Sequence, residues 1–247
     1  MDNLRLIEKI VTSARSYPNV TFESRGCAYT CVNPYYYRLV RRNYDELYDR
    51  LDGVFVDGLF MCMMIRLLWG EKVPRHSFDM AGMAVDLFQR LNASGSAESV
   101  FFIGARQEAL ERSVRHILHS YPSIRVAGFR NGYFKDEEER REAIRQIIDS
   151  GADFAIIGMG APMQERFALD LRDAGFKGTS FTCGGFLHQT SNGINYYPHW
   201  VNRFNLRAFY RLLHEKGMFA RLYNVLLEFP VLFVRDSVPS RLRKRTT

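Results

Sequence analysis

Five short runs of apolar residues recur along the chain, separated by stretches with apolar residues at helical spacing. The runs are residues 54–57, 99–104, 124–129, 154–157 and 179–183, and the fourth reads Phe-Ala-Ile-Ile without a polar interruption. A strand with one wet face alternates apolar and polar residues, so unbroken runs predict strands covered on both faces. Between them, Leu110, Val114, Ile117 and Leu118 share one helical face, as do Ala143, Ile144, Ile147 and Ile148. Acidic residues 136–139 open the second of these helices, and Pro162 opens the next. Repeated β-α units of this kind predict an α/β fold: a Rossmann-like, mainly parallel sheet with helices on both faces.

Charge divides the chain. Residues 203–247 carry ten Lys+Arg against three acids, a net of +7, while the whole chain is 34 − 27, also +7. Residues 1–202 are therefore neutral, and the sequence reads as a body over 1–200 followed by a basic amphipathic helical C-terminal appendage over 201–247. A segment of that kind is either a solvated terminal helix or one drawn to a polyanion: anionic lipid, a pyrophosphate-bearing substrate or nucleic acid. Its aromatic and aliphatic residues at helical spacing favour a helix lying on a membrane surface. No helix-turn-helix, RNP or KH pattern accompanies them, so no nucleic-acid partner is expected.

Composition excludes other classes. With 47% hydrophobic and 25% charged residues, the chain is neither disordered nor low in complexity. The four cysteines (Cys27, Cys31, Cys62 and Cys183) form no C-x-x-C pair, which suits a reducing, cytosolic compartment. No cluster has metal-ligand spacing, so metal independence is expected. Residues 58–69 are broken by Arg66, residues 223–234 by Glu228 and Pro230, and both are short of a roughly 20-residue span. Residues 1–15 are charged throughout and lack the apolar core of a signal peptide.

In parallel α/β folds, ligands sit at the carboxyl ends of the strands. Those ends read Asp57-Gly58, Gly104-Ala105, Gly128, Gly158-Met-Gly160-Ala-Pro162 and Cys183-Gly184-Gly185. The 158–162 turn puts backbone N–H groups at a helix start, a ready anion site. The third glycine of the dinucleotide fingerprint is missing, and neither a Walker A sequence nor a G-x-S-x-G elbow occurs.

Several of these residues carry a resemblance. The run from Gly158 through Gln164-Glu165 resembles the G-x-G-x-P-x-Q-E signature of the WecG/TagA/CpsF glycosyltransferases (glycosyltransferase family 26). Around it, in order, Thr30 to Asn33, Asp57-Gly58, Arg75 to Asp79, Gly132-Tyr133-Phe134, Gly184-Gly185, Pro198-x-Trp200 and 209–212 resemble further motifs of that family. The sequence departs from the pattern at Cys31, at Ser77 or Phe78, at Leu187-His188 and at Tyr196-Tyr197.

The resemblance implies an inverting, UDP-sugar-dependent glycosyltransferase that needs no cofactor. Its acceptor would be a polyprenyl-diphosphate-linked saccharide at the cytoplasmic face of the membrane, in exopolysaccharide, teichoic acid or surface-antigen synthesis. The protein would be peripheral on that membrane, reached through the appendage, and a homo-oligomer is compatible with this reading. Asp57 is the expected general base, its other reading being a cap for the helix after Gly58. The departing diphosphate would be met by Gly158, Gly160 and Pro162 and by Arg211 and Arg221, which otherwise are solvent-facing charges. Thr30, Asn33, Arg75, Asp79, Tyr133, Gln164, Gly184 and Gly185 complete the expected substrate-binding set. Asn33 reads alternatively as an Asx turn before Pro34, Tyr133 as core, and Glu165 as a cap or a partner of Arg166. Two rival classes stay open: a nucleotide-binding oxidoreductase on the same frame, and a non-catalytic basic module binding lipid or nucleic acid.

Overall fold

Six parallel strands form one sheet, crossed by helices on both faces, in a computed structural model that describes residues 3–93, 95–194 and 222–244. In chain order the strands are β1 (Ala28–Val32), β2 (Gly53–Val56), β3 (Ser99–Gly104), β4 (Arg125–Arg130), β5 (Phe154–Gly158) and β6 (Thr179–Thr182). Across the sheet they run β2-β1-β6-β5-β3-β4. The helices are α1 (Asn3–Ser16), α2 (Asn19–Glu23), α3 (Tyr37–Arg42), α4 (Leu59–Trp69), α5 (Met83–Asn92), α6 (Gln107–Ser120), α7 (Glu137–Asp149), α8 (Met163–Asp173), α9 (Phe186–Thr190) and α10 (Phe229–Lys244).

The unbroken apolar runs have the expected cause. Successive side chains of a strand face opposite ways, and here each face meets its own core. Val54, Val56, Ile103, Ala155 and Ile157 pack with Ile10, Val40, Ile65, Ile147 and Phe167 on one side. Phe55, Val100, Phe102, Phe154, Ile156 and Phe181 pack with Leu87, Phe88, Leu110 and Ile117 on the other. The helical faces expected from spacing are the buried ones, with Leu110, Ile117, Ala143 and Ile147 fully buried. The acidic start of α7 is a cap, Asp136 Oδ1 accepting the Glu139 N–H at 2.8 Å. β1 has no counterpart among the expected strands, because Thr30 interrupts its run. That threonine is buried all the same.

Glycine decides one junction. Gly104 has φ +145°, and a Cβ there would lie 2.3 Å from the Gly158 carbonyl oxygen. Only a residue without a side chain lets the ends of β3 and β5 close up, with Ala105 N–H donating to the Gly158 carbonyl at 3.1 Å.

The described part of the basic segment packs on the body. Phe229 and Phe233 of α10 are buried, edge-on to Tyr37 at 5.3 and 5.4 Å between ring centroids. Buried Asp236 accepts from Arg41 Nε at 2.6 Å, and its carboxylate lies 3.1 Å from the Tyr37 hydroxyl. Ser237 Oγ accepts from Asn3 Nδ2 at 3.0 Å and from Trp69 Nε1 at 3.1 Å, so α1, α3 and α4 all hold α10. The expected boundary at residue 200, the motifs at 196–200 and 209–212, and Arg211 and Arg221 lie outside the described residues.

Candidate active site at the carboxyl ends of the strands

Parallel pairing puts every strand's carboxyl end on one edge of the sheet. Asp57 N–H donates to the Val32 carbonyl at 2.8 Å, which sets Asp57 beside Asn33. Cys183 N–H donates to Ile157 at 2.8 Å and Gly132 N–H to Ala105 at 3.2 Å, continuing the row. Along that edge lie Asp57, Asn33, Cys183-Gly184, the 158–162 turn, Gly104-Ala105 and Gly132.

Asp57 is the charged end of the row. The chain leaves α4, returns through residues 70–82, and His76 N–H donates to the Val56 carbonyl at 2.9 Å. This lays Arg75 against Asp57: Arg75 Nε donates to Asp57 Oδ1 at 3.1 Å and its terminal nitrogen to Asp79 Oδ2 at 2.8 Å. Asp79 is fixed in turn by Ser77 Oγ and the Ala81 N–H, each at 2.8 Å. Burial works against the Arg75 charge, but the two carboxylates outweigh it and hold its pKa above the ordinary guanidinium value. Asp57 stays open, with 36% of its side chain exposed against 19% for Arg75. The N-cap position of α4 belongs to Gly58 (φ +120°), directly after Asp57, and among the described residues no side chain caps the helix there.

A second group lies under the row and is buried. Gln164 Nε2 donates to Glu165 Oε1 at 2.9 Å, while Gln164 Oε1 accepts the Gly184 N–H at 3.1 Å. Thr30 Oγ1 donates to the same Glu165 oxygen at 2.8 Å and lies 2.6 Å from Thr182 Oγ1. Register explains the meeting: Tyr29 pairs with Phe181, so Thr30 and Thr182 are opposed across β1 and β6, with α8 above them. Glu165 neither caps nor pairs with Arg166, which reaches Glu46 at 3.3 Å instead. Burial raises the Glu165 carboxyl above its ordinary value, against the hydrogen bonds from Gln164, Thr30 and, more weakly, its own backbone N–H.

The other expected residues fall as follows. Asn33 Oδ1 accepts the Tyr36 N–H at 3.1 Å, forming the turn before Pro34 that was its alternative reading. Pro162 is the N-cap residue of α8, and Gly160 (φ +77°) precedes it. Gly185 follows Gly184 in the turn before α9. Tyr133 is 63% exposed, which excludes the core reading; it follows Gly132, whose N–H reaches the Ala105 carbonyl after β3. Among the departures, Phe78 and Leu187 belong to the core, Phe78 packing edge-on to Phe186 at 5.6 Å, while His188 is exposed. Sequence reasoning passed over Thr182, whose contact depends on strand order, and met Ser77 only as a departure from the motif, since its bond to Asp79 depends on the loop's return.

An open carboxylate held by an arginine at one end of the row, with glycine turns further along it, lies on the edge where parallel α/β folds hold their ligands. The sequence profile described as "Glycosyl transferase WecG/TagA/CpsF family" matches residues 7–243, and the chain belongs to that family. It is 31% identical over 210 residues to a UDP-Gal:alpha-D-GlcNAc-diphosphoundecaprenol beta-1,4-galactosyltransferase of Shigella boydii, covering 85% of this chain and 86% of the relative. It is 28% identical to an N-acetylglucosaminyldiphosphoundecaprenol N-acetyl-beta-D-mannosaminyltransferase of Bacillus subtilis (strain 168), covering 81% and 76%. The corresponding Bacillus spizizenii enzyme is 25% identical, covering 91% and 86%. The oxidoreductase and the non-catalytic binding module both drop out. The chain is a glycosyltransferase with a Rossmann-like fold.

Proposed function

We propose that the chain moves a sugar from a UDP-sugar to a hydroxyl of a polyprenyl-diphosphate-linked saccharide, with inversion, in the synthesis of a bacterial cell-envelope polymer. The observation that carries this reading is Asp57, an ionic-paired yet open carboxylate at the end of β2. The acceptor oxygen attacks the anomeric carbon as its proton passes to Asp57, and the bond from that carbon to the diphosphate breaks, releasing UDP. Charge developing on the diphosphate is met by N–H groups of the 158–162 turn and by Arg211 and Arg221. Among the described residues no group of three or more His, Cys, Asp or Glu could hold a metal ion, and the arginines supply the positive charge in this scheme. The test is UDP release from a panel including UDP-galactose and UDP-N-acetylmannosamine, with polyprenyl-diphospho-N-acetylglucosamine present or absent. Acceptor-dependent release from one donor is expected; release from none sinks the reading.

No helix among the described residues is long and apolar enough to cross a membrane. We infer that the protein instead works from the cytoplasmic surface of the membrane. Support comes from an apolar stripe on α4, Leu59, Met63 and Leu67, which starts next to Asp57 and stays exposed. Leu226, Leu227 and Val231, at and before α10, are exposed as well, and α10 packs against α4. Arg241, Arg243, Lys244 and Arg245 add charge for anionic headgroups. Burying each such side chain is worth about 1.5–3 kcal/mol. The double variant M63E/L67E is therefore expected to bind phosphatidylglycerol vesicles at least about tenfold more weakly, with an unchanged melting temperature. Equal vesicle binding would remove α4 from the contact.

A further inference from the structure

We propose that Glu165 is a positioning residue that acts in its uncharged form, holding the Gln164 amide that anchors the Gly184-Gly185 turn. The proposal rests on the glycosyltransferase reading for the ligand it serves. Its ground is hydrogen-bond bookkeeping in a closed space. Glu165 is 1% exposed, and its Oε1 accepts two hydrogen bonds while the buried Oε2 has no partner among the described residues. No Lys, Arg or His among the described residues pairs with it; its titratable neighbour is Tyr48, from the 44–48 turn, whose phenol is pushed up by burial and then by Glu165. A carboxylate with one buried oxygen lacking a partner, and no cation beside it, among the described residues is costly in such a place, whereas a carboxylic acid keeps both bonds to Oε1.

The same contacts give the acid a task. A glutamine amide can face either way, and its orientation follows from its partners. Glu165 Oε1 accepts from the nitrogen end of Gln164, which leaves the oxygen end for the Gly184 N–H. Thr182 and Thr30 pass a single direction of donation along the row: Thr182 to Thr30, Thr30 to Glu165. The side chain thus ties β1, α8 and the turn after β6 into one unit under the strand ends. Gly184 has φ +53°, so its turn depends on this tie as well as on its own backbone.

The test compares full-length wild type, E165Q, E165D and E165A by UDP binding in calorimetry at neutral pH, and by melting across pH. E165Q keeps an acceptor oxygen at the same reach and is expected to bind UDP within about twofold of wild type. E165A loses the anchor, and E165D falls short by one methylene; both are expected to bind about tenfold more weakly. E165Q as weak as E165A would show that the charge is needed and overturn the proposal. E165D is the readout if E165A does not fold, and wild-type affinity in E165D also overturns it.

If wild type itself does not bind UDP, the donor reading fails and melting decides for Glu165. The unfolded carboxyl ionises near the ordinary value of 4.5, and the folded one higher. Between those two values the folded state holds the extra proton, so wild-type stability falls as pH rises above 4.5. E165Q has no such proton. Wild type is expected to lose stability relative to E165Q over that range, and parallel curves overturn the proposal.

Discussion

Asp57→Asn is expected to lower acceptor-dependent UDP release by about 10²–10⁴-fold, the range in which a positioned general base contributes. The amide keeps the size and the contact with Arg75 but does not take the acceptor's proton. Arg75 also keeps Asp79 at 2.8 Å, and Asp79 keeps Ser77 and the Ala81 N–H, so the loop that delivers the arginine stays in place. The pair is part-buried, but the amide oxygen at position 57 still accepts the Arg75 N–H and Arg75 keeps Asp79, so melting should move by only a few degrees. Initial rates at saturating donor, with a circular dichroism melt of the same sample, check both halves. Undiminished release in a folded D57N protein would remove Asp57 from the chemistry without touching the family assignment.

Deleting residues 223–247 is expected to unfold the protein or leave it aggregating, even though it removes only the end of a basic segment. Phe229 and Phe233 are buried among Tyr37, Phe60 and one another. Losing a buried phenylalanine typically costs ~3–5 kcal/mol. The deletion also strips Arg41 and Tyr37 of Asp236, and Asn3 and Trp69 of Ser237. A domain has only about 5–15 kcal/mol of stability to lose, so these terms together consume most of it. Thermal melting of the shortened chain beside the full one is the measurement. A melting temperature within a few degrees of the full chain would mean that α10 rests on the body without supporting it.

The two outcomes separate what the C-terminal segment does. Its charge is written in composition, ten Lys+Arg against three acids over 203–247, and suggests a partner outside the protein. Its anchoring is not visible there. Asp236 looks like one more surface acid until the fold places it 2.6 Å from Arg41 Nε and 3.1 Å from the Tyr37 hydroxyl, both on α3.

The sequence by itself determined the layer order and much of the edge where chemistry belongs. Apolar runs such as 154–157 demand cover on two sides, a local demand that any fold of the chain must meet, and it leads directly to a parallel sheet with helices on both faces. Asp57-Gly58 and the 158–162 turn were legible for the same reason, because a strand's end and a helix's start are properties of neighbouring residues. Strand order was not, since the pairing that seats β6 beside β1 joins Ala28 to Ser180, at opposite ends of the body, and is settled by packing rather than by neighbouring residues. That order, with β6 seated between β1 and β5, brings Thr182 against Thr30 and puts Glu165 under the glycine turn. A glutamate in the first turn of a helix reads from sequence as a surface cap. Only tertiary structure decided that it is buried, that one of its oxygens has no partner among the described residues, and that Arg75 folds back onto Asp57, because desolvation depends on what the rest of the chain places around a side chain.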